Sequence, residues 1–229
     1  MSTQTQIVLF VLFPVAGYLL GSVPFGLLIG LSRGVDIRKK GSRNIGATNV
    51  SRILGRKWGI FCFFLDISKG LIPVLLALFY LRAIGQIESG KMNTAAQGAL
   101  LLTGAACILG HIFSVFLRLR GGKGVSTWIG VLLGIWPYFT ITAAFVLAVW
   151  VAVWGMTHYV SLASITAAIA FPLGFFVLVY QSKNWELSEL WLLFAFSCLM
   201  AVLIIFRHRS NIVRLLAGTE NRGKKNETE

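Results

Sequence analysis

The chain has 229 residues, of which 56% are hydrophobic and 13% charged, and it carries a formal net charge of +13. Several apolar runs are long enough to cross about 30 Å of hydrocarbon, so the composition excludes an ordinary water-soluble domain and indicates a polytopic membrane protein. The basic residues are concentrated in some of the loops between these runs. This is the pattern of orientation in a bilayer and not of nucleic-acid binding.

Seven membrane-spanning helices are predicted from the apolar runs, giving an all-α membrane protein with a single domain at 1–220. The predicted spans are Ile7 to Leu31, Trp58 to Leu81, Gln97 to Leu117, Gly124 to Trp136, Tyr138 to Trp154, Val160 to Tyr180 and Glu189 to Phe206. The first run is too long for a secretory signal and lacks a basic leader, so we expect it to span. Its glycines recur at four- and five-residue spacing, which favours close helix packing, and Pro24 predicts a kink that frees carbonyls toward an interior site.

The first loop combines cations with short polar side chains. Lys40–Arg52 contains Ser42, Asn44 and Asn49. A loop that only oriented a helix would need the cations but not the hydroxyl and amide groups. Such groups hydrogen-bond hydroxyls and phosphate oxygens, and an arginine such as Arg52 can grip a phosphate through two donors. The loop is therefore predicted to bind a phosphorylated ligand.

The second span carries Asp66 and Lys69 three residues apart, on one helical face. An exposed pair in lipid would be costly, so both side chains should point to the bundle interior, as a structural pair or as part of a polar site. The three cysteines lie singly in apolar runs without metal-ligand spacing. They are interpreted as buried apolar residues, and no metal site is expected.

A basic, glycine-rich turn, Arg118–Thr127, follows the third span. Glycines permit positive φ and close approach of the backbone to a ligand, and a following helix start favours phosphate, so the turn is a candidate anion site. Its candidate binding residues are Gly121, Gly122, Lys123, Gly124, Ser126 and Thr127. The alternative is a basic loop in which the glycines only make a turn. The spacing is not that of a nucleotide P-loop, because Leu117 and Gly124 occupy two of its required positions.

The segment 124–154 decides the topology. It has 31 residues, about 46 Å as one helix, which is long for one crossing and short for two. The loop at 32–57 has eight Lys and Arg, the turn at 118–123 three and the tail from Arg207 six, which is 17 of 21. These share one side if the segment crosses twice, which places the N-terminus outside and the C-terminus in the cytoplasm. A re-entrant pair of half-helices around Pro137 would satisfy the same count.

Two polar segments near the C-terminus complete the cytoplasmic groups. His158, Tyr159 and Ser161 lie in the short turn before the sixth span, where Ser161 is either a helix cap or a binding group. The tail after the last span opens with His208 and Asn211 among cations. Its apolar residues follow helical spacing, so it predicts a short amphipathic segment on the bilayer or over the helix ends. Residues 221–229 are predicted to be a polar, disordered tail.

Four motifs in chain order resemble those of the PlsY family, the bacterial inner-membrane acyl-phosphate:glycerol-3-phosphate acyltransferases. They are Leu20–Gly26, Gly41–Asn49, Gly121–Thr127 and His208–Ile212. The resemblance implies transfer of a fatty acyl group from acyl phosphate to the 1-hydroxyl of glycerol 3-phosphate, without a cofactor, at the cytoplasmic side of the membrane. It also makes the soluble enzyme that produces the acyl phosphate a candidate docking partner, beside membrane lipid and with no nucleic acid.

The resemblance also implies roles for individual positions. Lys123 and the amides of the glycine turn would hold the acyl-phosphate headgroup, with Ser126 or Thr127 as further donors. The first loop would help to bind and orient the phosphates through Arg52, Ser42, Asn44 and Asn49. The glycerol phosphate site would be completed by Ser161, His208 and Asn211.

Several alternatives stay open at this point. The attacking hydroxyl could lose its proton to His208 or to a substrate phosphate oxygen, and the second is preferred. An acyl thioester is disfavoured as donor, because no histidine is followed five positions later by the aspartate typical of thioester-using relatives; those positions hold Phe116, Ala163 and Val213. Rival functions are a phosphate-ester transporter and a non-enzymatic protein whose basic loops bind anionic lipid or a cytosolic partner.

Overall fold

The computed structural model describes residues 1–88 and 91–222 and divides into two compact units, Met1–Trp136 and Pro137–Glu229. The helices of the first unit are α1 (Thr3–Ile7), α2 (Phe13–Ser22), α3 (Phe25–Ser32), α4 (Ala47–Leu54), α5 (Arg56–Ala83), α6 (Thr94–Ile112) and α7 (Val125–Gly134). A π-helical turn, Val8–Leu12, joins α1 to α2, and a short antiparallel hairpin pairs β1 (Ile87–Glu88) with β2 (Lys91–Met92). The helices of the second unit are α8 (Tyr138–Thr157), α9 (Val160–Gln181), α10 (Leu187–Arg207) and α11 (Arg209–Leu216).

The helical architecture confirms the all-α prediction. In the described part of the chain, six helical segments are long and apolar enough to span a membrane: Thr3–Ser32, Arg56–Ala83, Thr94–Leu117, Tyr138–Thr157, Val160–Gln181 and Leu187–Arg207. The region predicted as the fourth span, Gly124 to Trp136, forms α7, which has only ten residues. At 1.5 Å per residue α7 is about 15 Å long, half the hydrocarbon thickness. This length fits a half-helix at that position, and the orientation of the termini stays a prediction.

The first span is broken at Pro24, as the sequence predicts. α2 ends at Ser22 and α3 begins at Phe25, which leaves the carbonyl groups at the break without helical partners. Ser114 Oγ donates to the carbonyl of Ser22 at 2.5 Å, and Lys69 Nζ donates to the carbonyl of Val23 at 3.0 Å. The break is therefore stabilised by polar side chains from elsewhere in the first unit, in addition to the backbone N–H of Phe25, which donates to the carbonyl of Val23.

Glycines let the helices of the first unit approach backbone to backbone. A Cβ added to Gly21 of α2 would lie 2.3 Å from the carbonyl oxygen of Cys107 in α6, and one added to Gly110 of α6 would lie 2.3 Å from the carbonyl oxygen of Tyr18. The contact between α2 and α6 therefore leaves no room for a side chain at either glycine position. This confirms the small-residue packing predicted for the first span.

The short helix α7 packs on α5 in the same way. A Cβ on Gly130 would lie 2.1 Å from the carbonyl oxygen of Ile67, and one on Gly70 would lie 2.2 Å from the carbonyl oxygen of Thr127. Most side chains of α7 are buried or half-buried. α7 is thus stabilised by its packing against α5, because a helix of ten residues is too short to be stable alone.

The last helix, α11, buries a polar side chain and exposes apolar ones. Asn211 is buried, whereas Val213 and Leu216 are 66% and 85% exposed. The predicted amphipathic C-terminal segment is therefore present, with Ile212 and Leu215 half-buried and Val213 and Leu216 exposed. The predicted disordered tail falls mainly on residues 223–229, which lie outside the described residues.

We expect Gly21→Ala to destabilise the first unit. The new methyl group has no room unless α2 and α6 separate, and overpacking of this kind costs about 1–3 kcal/mol. The thermal unfolding midpoint in detergent should fall by several degrees. Gly155→Ala is the matched control, because no atom lies within 4 Å of a Cβ at that position in α8. Equal midpoints for the two variants would contradict the packing argument.

Candidate active site

The two predicted anion-binding segments lie at one end of the first unit. The first loop covers an apolar cluster that includes Ile37, Ile45 and Val50. Leu117, which immediately precedes the basic turn, packs against this cluster. The loop and the turn are therefore neighbours, as expected if both contact phosphorylated ligands.

The side chain of Asn49 organises the first loop. Its Oδ1 accepts from the backbone N–H of Ser42 at 2.9 Å, and its Nδ2 donates to the carbonyl groups of Ile37 and Asn44 at 3.0 and 2.8 Å. Asn49 is buried, and a Cβ on Gly41, whose φ is +57°, would lie 2.4 Å from its Oδ1. These contacts show that the Asn49 amide shapes the loop, and its predicted part in binding and orienting the phosphates stays a prediction.

Of the other polar residues of the loop, Asn44 hydrogen-bonds within the loop, whereas two others are exposed to solvent. Asn44 Oδ1 accepts from the N–H of Gly46 at 2.8 Å, which fixes the chain just before α4. Ser42 and Arg52 are exposed. The Arg52 side chain passes close to Gly41, with its Cδ 3.6 Å from the position of a Cβ there. The Arg52 side chain therefore lies against the residue that precedes Ser42.

The glycine turn folds back on the end of α6. The N–H of Gly121 donates to the carbonyl of Ile112 and that of Gly122 to the carbonyl of His111, both at 3.0 Å. A Cβ on Gly122 would lie 2.2 Å from His111 Nε2. Both amides donate to protein carbonyl groups in this structure, and their predicted role in anion binding stays a prediction. The glycines are required here by close packing against His111.

The part of the turn suited to an anion is its second half. Gly124 has a φ of +86° and directly precedes α7, whose first turn presents N–H groups and the positive end of the helix dipole. Lys123 and Ser126 are half-buried beside this helix start. Thr127 differs from the expectation, because it is fully buried and its hydroxyl lies 3.1 Å from His111 Nδ1.

In the second unit, Glu220 joins the residues predicted to act together. Its Oε1 accepts from Ser161 Oγ at 2.8 Å and from Asn211 Nδ2 at 2.6 Å, and its Oε2 accepts from Arg214 Nε at 2.7 Å. The contacts bring the start of α9, α11 and the chain after α11 to one end of this unit. Sequence reasoning missed Glu220 as a site residue, although a lone carboxylate after a run of arginines was the available signal.

His208 lies in the same region, at the junction of α10 and α11. The side chain is buried, and Nδ1 is 2.8 Å from the carbonyl oxygen of Ile204. Because a carbonyl only accepts hydrogen bonds, Nδ1 carries the proton and Nε2 holds the lone pair in the neutral ring. In this tautomer Nε2 is the ring atom that can accept a proton or a hydrogen bond.

The Glu220 contacts predict a pH dependence. Burial alone would raise the pKa of Glu220, but the hydrogen bonds from Asn211, Ser161 and Arg214 outweigh it and hold the pKa below the ordinary glutamate value. Stabilisation from a lowered pKa is complete above the ordinary value, about 4.3, and is lost as the pH falls through the lowered value. Wild-type protein should lose thermal stability in that range, whereas Glu220→Gln should start lower at pH 7 and show a flatter curve.

The matched control for this experiment is Glu186→Gln, which changes an exposed carboxylate in the same unit. Its unfolding midpoint should follow the wild-type curve at every pH. A Glu220→Gln curve that ran parallel to wild type and equally high would show that the hydrogen bonds of Glu220 contribute nothing to stability.

Known proteins resemble this chain over nearly its whole length. The sequence profile of the glycerol-3-phosphate acyltransferase family matches residues 11–218. The chain is 46% identical to the glycerol-3-phosphate acyltransferase of Geotalea daltonii, covering 90% of this chain and 94% of that one, and 43% identical to that of Aquifex aeolicus, with the same coverage. Among solved structures, it is similar to crystal structures of PlsY, an integral membrane glycerol 3-phosphate acyltransferase.

The glycerol 3-phosphate form of that enzyme superposes with a TM-score of 0.77 at 40% identity, covering 93% of this chain and 94% of the other. The lysophosphatidic acid form gives 0.75 at the same identity, covering 92% and 93%. The identity is high enough and the coverage complete enough to fix the family. The chain therefore belongs to the integral membrane glycerol-3-phosphate acyltransferases of the PlsY family.

Proposed function

We propose that the protein transfers the acyl group of a fatty acyl phosphate to the 1-hydroxyl of glycerol 3-phosphate. The products are 1-acyl-glycerol 3-phosphate and inorganic phosphate, so the reaction is the first acylation of phospholipid synthesis. The observation that carries the proposal is the position of Lys123, which is half-buried beside the first turn of α7, where a cation and helix N–H groups together favour a phosphate. The related PlsY structures, in glycerol 3-phosphate and lysophosphatidic acid forms, support the acceptor and the product.

The acyl phosphate is assigned to the basic end of the first unit. Lys123 and the first turn of α7 would hold its phosphate, with Ser126 as an added donor. Arg52 would bind a phosphate through two parallel donors, and Ser42 of the same loop would add a hydroxyl. Asn49 and Asn44 act indirectly, because their side chains fix the loop that carries these two exposed residues.

Glycerol 3-phosphate is assigned to the groups of the second unit. Ser161 and Asn211 would hydrogen-bond the acceptor, and Glu220 aligns both of them through the contacts described above. His208 presents Nε2, because its Nδ1 proton is directed at the carbonyl of Ile204. Joint action of these residues with Lys123 and Arg52 of the first unit is part of the proposal.

The chemistry requires little more than positioning and charge. The hydroxyl oxygen attacks the carbonyl carbon of the mixed anhydride, the carbon–oxygen bond to phosphate breaks, and phosphate leaves with the electron pair. Lys123 and Arg52 would stabilise the negative charge that grows on the phosphate. The hydroxyl proton passes to a substrate phosphate oxygen, with His208 Nε2 as the alternative acceptor. No covalent enzyme intermediate is needed, because the donor is already activated.

The cellular setting follows from the substrates and the charge pattern. A long acyl chain requires lipid, whereas both phosphate groups require water and cations. A multi-pass protein of the bacterial inner membrane with its site on the cytoplasmic side meets these needs and agrees with the basic loops. The soluble enzyme that makes acyl phosphate would then be a docking partner on that side.

The test of the donor is an assay of purified protein in detergent or lipid. Glycerol 3-phosphate is supplied with either palmitoyl phosphate or palmitoyl-CoA, and lysophosphatidate is measured. We expect product from the phosphate and none from the thioester. Product from palmitoyl-CoA alone would overturn the donor assignment, and no product from either would favour a transporter or a lipid-binding protein.

Charge-conserving variants separate catalysis from simple electrostatic attraction. Lys123→Arg and Arg52→Lys keep the charge but change the donor geometry, so each should lower kcat/KM by at least tenfold. Arg56→Lys, an exposed arginine close in sequence to Arg52, is the matched control and should keep wild-type activity. If all three variants had wild-type rates, the cations would act only through their charge, as in a protein that binds anionic lipid.

A further inference from the structure

A chain of buried polar side chains lies behind the glycine turn. It consists of Asp66 and Lys69 in α5, His111 in α6 and Thr127 in α7, none of which is more than 4% exposed. Lys69 Nζ is 2.8 Å from Asp66 Oδ1, and His111 Nδ1 is 3.7 Å from the same oxygen. Ionisable groups inside a membrane bundle are costly and usually have a function. The chain is thus a candidate for a role beyond neutralising one charge with another.

His111 contacts the turn at its first half. Its carbonyl accepts the N–H of Gly122 at 3.0 Å, and its ring fills the space that a side chain at position 122 would need. A Cβ at Gly121 would likewise lie 2.0 Å from the His111 carbonyl oxygen. The turn therefore rests directly on this residue, through both backbone and ring.

His111 also contacts the far side of the turn. Its Nδ1 is 3.1 Å from the hydroxyl of Thr127, in the first turn of α7. Gly122 immediately precedes Lys123, and Thr127 follows it by four positions. His111 therefore contacts the chain on both sides of Lys123, through its carbonyl and ring at Gly122 and through its ring at the hydroxyl of Thr127.

The ring of His111 is itself held from behind. Asp66 lies within 3.7 Å of Nδ1 and is fixed by Lys69 and by Cys62, whose Sγ is 3.8 Å from Asp66 Oδ2. Lys69 also donates to the carbonyl of Val23 at the break between α2 and α3. The position of the ring is thus set by residues of α5, by Thr127 of α7 and, through Lys69, by the break between α2 and α3.

We infer that His111 is a positioning residue for the phosphate-binding turn, held in place by the Asp66–Lys69 pair. It acts through the backbone at Gly122 and through Thr127, and so fixes Lys123 and the start of α7 around a phosphate. The inference rests on the proposed role of this turn. It gives the buried pair in α5 an indirect function in ligand binding, although neither residue belongs to the turn.

The test measures binding of inorganic phosphate as well as turnover. Phosphate is titrated into wild type, His111→Asn and His111→Leu, and the dissociation constant is obtained from the shift in the unfolding midpoint. His111→Asn keeps a polar group near the Nδ1 position, so it should bind within about threefold of wild type. His111→Leu should weaken binding at least tenfold. In the assay, its KM for one phosphorylated substrate should rise by the same factor with a smaller change in kcat.

A second pair of variants covers the case in which His111→Leu fails to fold. Thr127→Val removes the hydroxyl with little change in volume and should weaken phosphate binding in the same direction. Thr103→Val is its control, since that buried hydroxyl donates to the carbonyl of Ala99 in α6, away from the turn. Combining Thr127→Val with Lys123→Ala should add little to Lys123→Ala alone, because both changes act on one site.

The outcomes separate this inference from the proposed reaction. Folded His111→Leu and Thr127→Val proteins that bind phosphate as wild type does would overturn it, as would additive effects with Lys123→Ala. Wild-type protein that failed to bind phosphate would also overturn it. If phosphate binding were lost in these variants while acyl phosphate gave no product in wild type, the positioning role would stand and the proposed reaction would fall.

Discussion

The ion pair between Asp66 and Lys69 is the interaction on which the first unit depends. Its two charges are 2.8 Å apart and almost completely buried. Removing either partner would leave a charge in surroundings of low polarity, which is far more costly than the pair itself. The lysine also satisfies a carbonyl at the break in the first span, and the aspartate lies beside His111. One pair thus connects the kinked helix, the second span and the basic turn.

The motif residues divide into those that build the loops and those that face their openings. Asn49, Gly121 and Gly122 belong to the first group, because their polar atoms bond within the protein or their missing side chains make room for it. Arg52, which is exposed, and Lys123, which is half-buried, are proposed for the second. This division follows from the membrane setting, where each loop at a helix end must satisfy its own backbone before it can offer groups to a ligand.

Much of this organisation could be predicted from local sequence patterns. The apolar runs located the long helices, Pro24 located the break, and the three-residue spacing of Asp66 and Lys69 indicated a pair. The length of α7 could not be predicted in this way, because the apolar run continues to Trp136 while the helix ends at Gly134. The residue just before a proline is disfavoured in a helix, and Pro137 has this effect near the end of α7. Hydropathy does not record it.

The roles of Asn49 and Glu220 depended on contacts that sequence spacing does not reveal. Asn49 bonds to groups 5 to 12 positions away, in a loop whose path is irregular. Glu220 bonds to Ser161, 59 positions earlier. Residue type suggested ligand binding for Asn49 and nothing for Glu220. Only the folded chain distinguishes an amide that supports a loop from one that contacts a substrate.

The outward-facing apolar side chains of α11 have a consequence for how the protein is handled. Asn211 is held inward by Glu220, while Leu216 on the opposite face is bare. In water, rotation of this helix would lower the free energy by burying Leu216. An amphiphile that covers the outer face removes this driving force. The surfactant or lipid chosen for purification is therefore expected to help keep Asn211 against Glu220 by covering the exposed apolar side chains of α11.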